Sequence, residues 1–389
     1  MKKLLLAPAV LAVVAALALT GCTDNTKTAS ASGGLTVKES DTECSVSANE
    51  APSGPVTFTI TNSGSKVNEF EVLAADGLRI VGELENIGPG VTRDVTVQLA
   101  PGDYQTACVP GMIGAGQRAA FKVTDSGTEP SVSADRKQLQ KTAVSQYIGY
   151  IKDQTAQLVT GTDDFVKAFE SGDEAKAKEL YPTVRAHYER IEPVAESFGD
   201  LDPALDFREA DLEKGQAFTG WHRAEKDLWA PKGYTKMTDA ERKKIGDKMV
   251  SDTKKLYDEV FAKDYKVTIA DIGNGSVGLM DEVSTGKVTG EEELFSHTDL
   301  YDFKANVEGA QVAFETLQPL LENSGDKELV DELNTRFEKV NSLLAKYKDG
   351  DGYKLYDELS KDQVKELSDA VNALANPLQD LTKTAVKAK

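Results

Sequence analysis

The sequence predicts a multidomain chain, a small all-β sandwich followed by an all-α helical bundle, and three observations carry that prediction. Between residues 35 and 124, apolar and polar residues alternate in short runs, the period of a strand with one buried face. A polar stretch containing Ser, Gly and Pro follows at 125–134 and reads as an interdomain linker. From residue 135 to 389 apolar residues recur every three or four positions, the period of a helix with one buried face.

The segments ahead of the sandwich read as processing and tethering. Met1-Lys2-Lys3 sets two positive charges before an apolar run from Leu4 to Leu19, the pattern of an export signal over 1–21. Leu19-Thr20-Gly21-Cys22 resembles a bacterial lipobox, which implies cleavage before Cys22 and acylation of its thiol. Residues 22–34 are small and polar and read as a flexible tether. One acyl chain holds a protein only marginally, so more than one is expected. The protein is therefore expected outside the cytoplasm, lipid-anchored to a membrane, periplasmic or at the cell surface. There is no second long apolar run, so the chain is not itself a permease.

Composition narrows the partners. With 64 acidic and 45 basic residues the net charge is −19, which repels nucleic acid and attracts cations. Of three cysteines, Cys22 is consumed by the anchor, which leaves Cys44 and Cys108 in an oxidising compartment.

In the β half, Val56, Phe58 and Ile60 alternate with threonines, as Val95, Val97 and Leu99 alternate with polar residues. Phe121 and Val123 close the pattern, and turn signals recur at Asn62-Ser63-Gly64, Gly88-Pro89-Gly90 and Pro101-Gly102-Asp103. In the α half, Leu139, Val144, Tyr147, Ile148, Ile151 and Leu158 form a helical stripe, which Gly172-Asp173 ends. Further helices are expected near 173–198, 203–230, 239–263, 298–322, 326–347 and 360–382.

The chemistry gathers around few residues. The chain has three histidines, and His222 lies three residues before Glu225, a spacing that puts imidazole and carboxylate on one helix face. Gly220, expected inside that helix, costs about 1 kcal/mol against alanine and so needs a reason, such as a close backbone approach. The string Gly220-x-His222-x-x-Glu225 resembles the G-x-H-x-x-E motif of the imelysin-like family. Two more blocks agree: His187 through Phe198, which carries Ile191-Glu192-Pro193, and Gly290 through Gly309, which carries Glu291-Glu292-Glu293 and Ser296-His297-Thr298-Asp299, the second similar to the iron-uptake, EfeO-like branch.

That resemblance implies a helical bundle holding a metal through His222, Glu225 and further carboxylates. Asp239 is similar in placement to a third ligand, although Thr238-Asp239-Ala240-Glu241 reads equally as a capping box. For the fourth ligand Glu308 and His297 compete, with a capping or structural role the alternative for His297; His187 has a packing or surface reading. Hard carboxylate oxygens suit Fe2+ or Fe3+, and copper or zinc would also enter such a site in vitro.

In the β half, Tyr104 through Cys108 and on to Met112 looks like the ligand loop of a cupredoxin. A blue-copper centre needs two histidines, and the first in this chain is His187, so composition excludes one. Instead, Asn68-Glu69-Phe70-Glu71 and Glu83-Leu84-Glu85-Asn86 resemble the cupredoxin-like domain of EfeO-like proteins. The match implies a second metal or redox site at Glu69, Cys108, Cys44 and Met112; a Cys44–Cys108 disulfide is the alternative. The family further implies an iron-binding role beside a membrane iron permease and a haem-containing peroxidase. The competing class is an imelysin-type zinc metallopeptidase, for which a second histidine is needed and His297 alone could serve.

Overall fold

The computed structural model describes residues 34–75, 80–112, 116–126, 134–212 and 214–387, so the export signal, the tether, Cys22 and most of the 125–134 linker lie outside the described residues. Alternation in the first half becomes β1 (Leu35–Glu39), β2 (Cys44–Val46), β3 (Glu50–Pro52), β4 (Gly54–Asn62), β5 (Asn68–Ala74), β6 (Ile80–Ile87), β7 (Thr92–Leu99), β8 (Gly102–Cys108) and β9 (Gln117–Thr124). They form two sheets, ordered β2-β1-β4-β7 and β3-β9-β8-β5-β6. Most neighbours are antiparallel, while β1 runs parallel to β4 and β3 to β9. Val56, Phe58 and Ile60 of β4 point inward, and the Phe58 ring lies 5.1 Å from Phe70 and 5.7 Å from Phe121, joining the sheets. On the outer face Thr57 meets Thr96 and Thr61 meets Thr92, each at 2.9 Å, the cross-strand pairing expected of opposed threonines.

A disulfide joins Cys44 on β2 to Cys108 on β8 and so ties one sheet to the other across 64 residues of chain. On chain-entropy grounds a loop of that length stabilises the sandwich by about 4 kcal/mol. The reading of Cys44 and Cys108 as metal ligands is corrected accordingly: sulfurs bonded to each other offer no thiolate.

Glu39 closes β1 wholly buried, with neither carboxylate oxygen hydrogen-bonded. Burial pushes its carboxyl up to about 7. Since the folded chain then holds this proton more tightly than the unfolded one, its stabilising share is complete below about pH 4 and is lost as pH rises through 7. Glu39→Gln keeps the shape and never ionises. It is expected to raise stability by on the order of 2–3 kcal/mol at pH 8 and to change it little at pH 4, read as denaturation midpoints of the intact chain. Equal shifts at both pH values would show that ionisation is not the cause.

The second half folds into α1 (Ala134–Ser171), α2 (Glu174–Glu189), α3 (Leu201–Asp206), α4 (Gly220–Trp229), α5 (Asp239–Val260), α6 (Ile269–Thr285), α7 (Asp299–Ser324), α8 (Lys327–Leu344), α9 (Lys361–Leu378) and α10 (Leu381–Val386). Three expectations change here. The helix expected at 173–198 stops at Glu189 and continues as a 3-10 turn, Glu192–Phe198, with Pro193 at its start. The helix expected at 203–230 is two helices with an irregular excursion between, so Gly220 opens α4 rather than interrupting it.

The third change is α6, which has no counterpart among the expected helices. Gly273, Gly275 and Gly278 thin its apolar stripe, yet two of them are required. A Cβ at Gly275 would stand 1.7 Å from the Pro193 carbonyl oxygen, and one at Gly273 would stand 2.3 Å from Thr382 Oγ1. Small residues there let α6 lie flush against the 3-10 turn and α10.

The same helix carries the sandwich. Asn274 donates to the Thr96 carbonyl at 2.7 Å, and Arg93 of β7 forms a buried ion pair with Asp281. Between β6 and the helical domain a cleft of about 950 Å³ remains, and Glu83, Glu85, Glu196, Asp206 and Glu292 are among the side chains lining it.

Candidate metal centre

The centre is assembled from the ends of α3 and α4, from α2, and from the loop that precedes α7. Helix α4 begins at Gly220 with φ +77°, a conformation open to glycine at little cost. The preceding Thr219 hydroxyl donates to the Ala204 carbonyl at 2.8 Å, so the start of α4 lies directly on the end of α3. Trp221 fills the space between Phe165 and Tyr181, which turns the next residue, His222, into the interior. One turn later Glu225 is fully buried on the same face.

Each ring nitrogen of His222 has a distinct surrounding. Nδ1 faces Glu225 Oε2 at 3.4 Å. Glu225 is itself fixed, because its Oε1 accepts the backbone N–H groups of Phe295 at 2.8 Å and Ser296 at 2.7 Å. Nε2 points at Asp206 Oδ1, 3.9 Å away, and Glu292 Oε1, 3.6 Å away. Both distances exceed a hydrogen bond, and buried Nε2 has no hydrogen-bond partner. Imidazole and carboxylate atoms of Asp206, His222 and Glu292 lie within 4.8 Å of one another, as do those of His222, Glu225 and Glu293.

Charge in this interior is unbalanced. Arg185, fully buried, reaches Glu189 and Glu292 at 2.7 Å, Glu293 at 2.8 Å and Asp302 at 3.4 Å, and also pairs with Asp206. Lys287 reaches Glu189 and Glu192 at 2.9 Å and stands 3.7 Å from Glu292. Arg185 and Lys287, with Arg208 3.6 Å from Glu292, thus face a larger set of carboxylates among the described residues, which suits the site to a further positive charge. The acids respond to this crowding in opposite directions. Burial, then the charges of Glu225 and Asp302, hold the Glu293 carboxyl well above the usual range. Glu292 goes the other way: burial opposes ionisation, but Lys287, His222 and Arg185 hold it well below. Burial and Arg185 push the His222 imidazole down, and Glu225 and Glu292 outweigh them to leave it raised.

Sequence reasoning placed His222 and Glu225 here, and the structure brings those two together. Asp239 is exposed in the first turn of α5, beside the capping box that Thr238 forms with Glu241, and belongs to neither group. Glu308, half-buried on α7, is engaged by Arg190 at 2.8 Å and Lys304 at 2.7 Å and is likewise not drawn in. His297 sits at φ +58° with Nε2 3.9 Å from Asp357, and His187 bonds Gln154 at 2.9 Å. Asp206, Glu292 and Glu293 were missed. The run Glu291-Glu292-Glu293 lies inside the matching block that opens at Gly290, but nothing in its local pattern marks it as facing inward; the backbone N–H groups of Phe295 and Ser296 bond Glu225 and hold this loop against α4. In the sandwich, Glu69 lies with Glu71 and Glu83, and half-buried Met112 lines the cleft.

These features fit what comparison with known proteins finds. Residues 143–381 match the imelysin family (Peptidase M75) and residues 9–117 the cupredoxin-like domain, so the chain is a cupredoxin-like sandwich joined to an imelysin bundle. An EfeM/EfeO family lipoprotein of Staphylococcus haemolyticus (strain JCSC1435) is 46% identical over 260 residues, spanning 66% of this chain and 88% of its own. One from Staphylococcus aureus (strain NCTC 8325 / PS 47) is 45% identical over 260 residues, again 66% and 88%. The chain belongs to the EfeM/EfeO family of lipoproteins, which is associated with iron uptake. The fold alone is shared with a Parabacteroides distasonis protein described as an iron-regulated protein A precursor, at TM-score 0.50 and 18% identity over 67% of this chain and 97% of that one.

Proposed function

We propose that this protein captures iron outside the cytoplasm, at the interior end of the interdomain cleft, and passes it to a membrane iron permease. In this reading Cys22 carries the lipid anchor, and a haem-containing peroxidase sets the oxidation state of the cargo. The observation that carries the proposal is His222 Nε2: buried, without a hydrogen-bond partner, and aimed between the oxygens of Asp206 and Glu292.

His222 Nε2, Asp206 and Glu292 are the donors we assign to the ion. Glu225 acts through His222: holding the Nδ1 proton leaves Nε2 with a free lone pair, the usual role of a carboxylate behind a ligating imidazole. A carboxylate has about four lone-pair sites, so Asp206 and Glu292 can serve Arg185 and an ion together. Arg185 keeps the empty site from collapsing and competes with the cargo, which favours release as well as capture. Asp239 and Glu308 stand outside this ligand set.

A zinc peptidase has less support. Neither His187 nor His297 belongs to the groups around His222, so the second imidazole that chemistry needs is not at hand.

The test is anaerobic titration of the intact chain with Fe(II), read by calorimetry. The parent is expected to bind at this site, and Glu292→Gln, which keeps the shape but removes one charged donor, to bind at least about 10-fold more weakly, since even a group that only orients a ligand is worth that much. Unchanged affinity would remove Glu292 from the site and with it the assignment of the cleft end as the capture point.

A further inference from the structure

We propose, taking the His222 end of the cleft as the capture point, that Lys287 confines the cargo there: its ammonium fills a second cage of carboxylates beside that site and so denies the ion a competing place to bind.

Lys287 opens a 3-10 turn, Lys287–Thr289, just after α6, and is 2% exposed. Oxygens of four carboxylates lie close to its Nζ: Glu189 and Glu192 at 2.9 Å, Glu292 at 3.7 Å and Glu282 at 3.9 Å. An ammonium has three protons, and here they are spent on one oxygen of Glu189 and both oxygens of Glu192. Glu282 and Glu292 are therefore drawn in by charge, without a bond from it. Asn306 completes the cage. Wholly buried, it donates its amide to Glu189 at 2.9 Å and to Glu192 at 2.6 Å, while its own oxygen has no hydrogen-bond partner. Several carboxylates and a spare amide oxygen around one point are what a hard metal ion takes, and a lysine stands at that point.

The two cages share an atom. Glu292 Oε1 lies 3.7 Å from Lys287 Nζ and 3.6 Å from His222 Nε2. Glu192, Glu282 and Glu292 also line the cleft, so an ion on its way to His222 passes them. Left without the lysine, they would hold a hard cation through oxygen alone. Stability alone is a weak reason for such a group, because apolar residues of similar volume often match or better a buried ion pair. Burial opposes the charge on Lys287, and Glu189, Glu192 and Glu292 outweigh burial to hold its ammonium well above the usual range. A covalently held cation thus blocks the second cage at every step of capture and release.

The experiment counts Mn(II) bound to the intact chain by electron paramagnetic resonance of the ion left free. Lys287→Met, which keeps the apolar stem and removes the charge, is expected to bind one ion more than the parent. Loss of structure cannot add a site, so this gain separates confinement from a purely structural role. Without metal the variant's thermal midpoint should fall, since Glu189 and Glu192 lose their partner. On adding Mn(II) it should rise further than the parent's does. Should Lys287→Met not fold, Glu192→Gln with Lys287→Gln leaves the net charge of the group as in the parent and is expected to gain the same ion. An unchanged count in the folded variant would show that Lys287 denies the ion nothing, and the proposal would fail. His222→Ala tests the capture point separately: it should cost the parent one ion and leave the ion gained by Lys287→Met in place. If His222→Ala loses none while Lys287→Met still gains one, the cage blocked by the lysine stands and the capture site at His222 falls instead.

Discussion

His222→Ala is expected to weaken Fe(II) binding at the interior site by more than 100-fold, the largest change any single donor should produce. The imidazole supplies the only nitrogen among the assigned donors, and it is the group about which the others are arranged. Loss of a partner that merely orients a ligand costs roughly 10–100-fold, so Glu225→Gln should fall in that range and His222→Ala beyond it. The two variants separate ligation from orientation. In Glu225→Gln the amide oxygen still accepts the N–H groups of Phe295 and Ser296, so the loop before α7 keeps its place. In His222→Ala a cavity opens while Arg185 continues to hold Asp206, Glu292 and Glu293. Free imidazole should therefore restore part of the lost affinity. Parental affinity in His222→Ala, with the same thermal midpoint, would end the case for capture at this site.

What could be read in the chain and what could not divides along a physical line. That His222 and Glu225 share a helix face was legible because one turn relates them and a turn is local, but their role as a metal pair was legible only through the resemblance of Gly220-x-His222-x-x-Glu225 to a family motif. The two-domain architecture was legible because the change of apolar period near residue 134 is sustained over long stretches. Asp206 and Glu292 were not, since they meet His222 only once α3 packs on the start of α4 and the loop at 290–298 folds, and neither event has a period in the sequence. Asp239 was ambiguous by nature: an acid at a helix start satisfies the dipole whether or not a metal is near, and here it stays at the surface. Glu308 lay in a matching block, but the sequence does not reveal that Arg190 reaches it from 118 residues away. Helix α6 was hidden for the reason it exists, because the glycines that weaken its pattern let it approach Pro193 and Thr382. The need for a reason at Gly220 was also legible, although its place at a helix start was not.

Gly220→Ala is the second large effect, and it should disable the site without touching a donor. A Cβ at this position would stand 2.0 Å from the Leu205 carbonyl oxygen and 2.4 Å from its carbon. Both are backbone atoms, so no rotamer change relieves the contact. The end of α3 must move, and the residue after Leu205 is Asp206, whose oxygen faces His222 Nε2. The positive φ adds strain of about 1–2 kcal/mol, and the displacement should bring the total to about 4 kcal/mol or more. Gly233→Ala isolates the strain alone, because that glycine also has a positive φ, +86°, with nothing within 4 Å of its would-be Cβ. Denaturation midpoints are expected to fall far more in Gly220→Ala than in Gly233→Ala, and only the former should lose iron affinity. Were the two variants alike in stability and in iron binding, the contact between the start of α4 and the end of α3 would not be what holds Asp206 beside the imidazole. The converse result would mean that this glycine sets the distance between two donors on separate helices, through backbone contact alone.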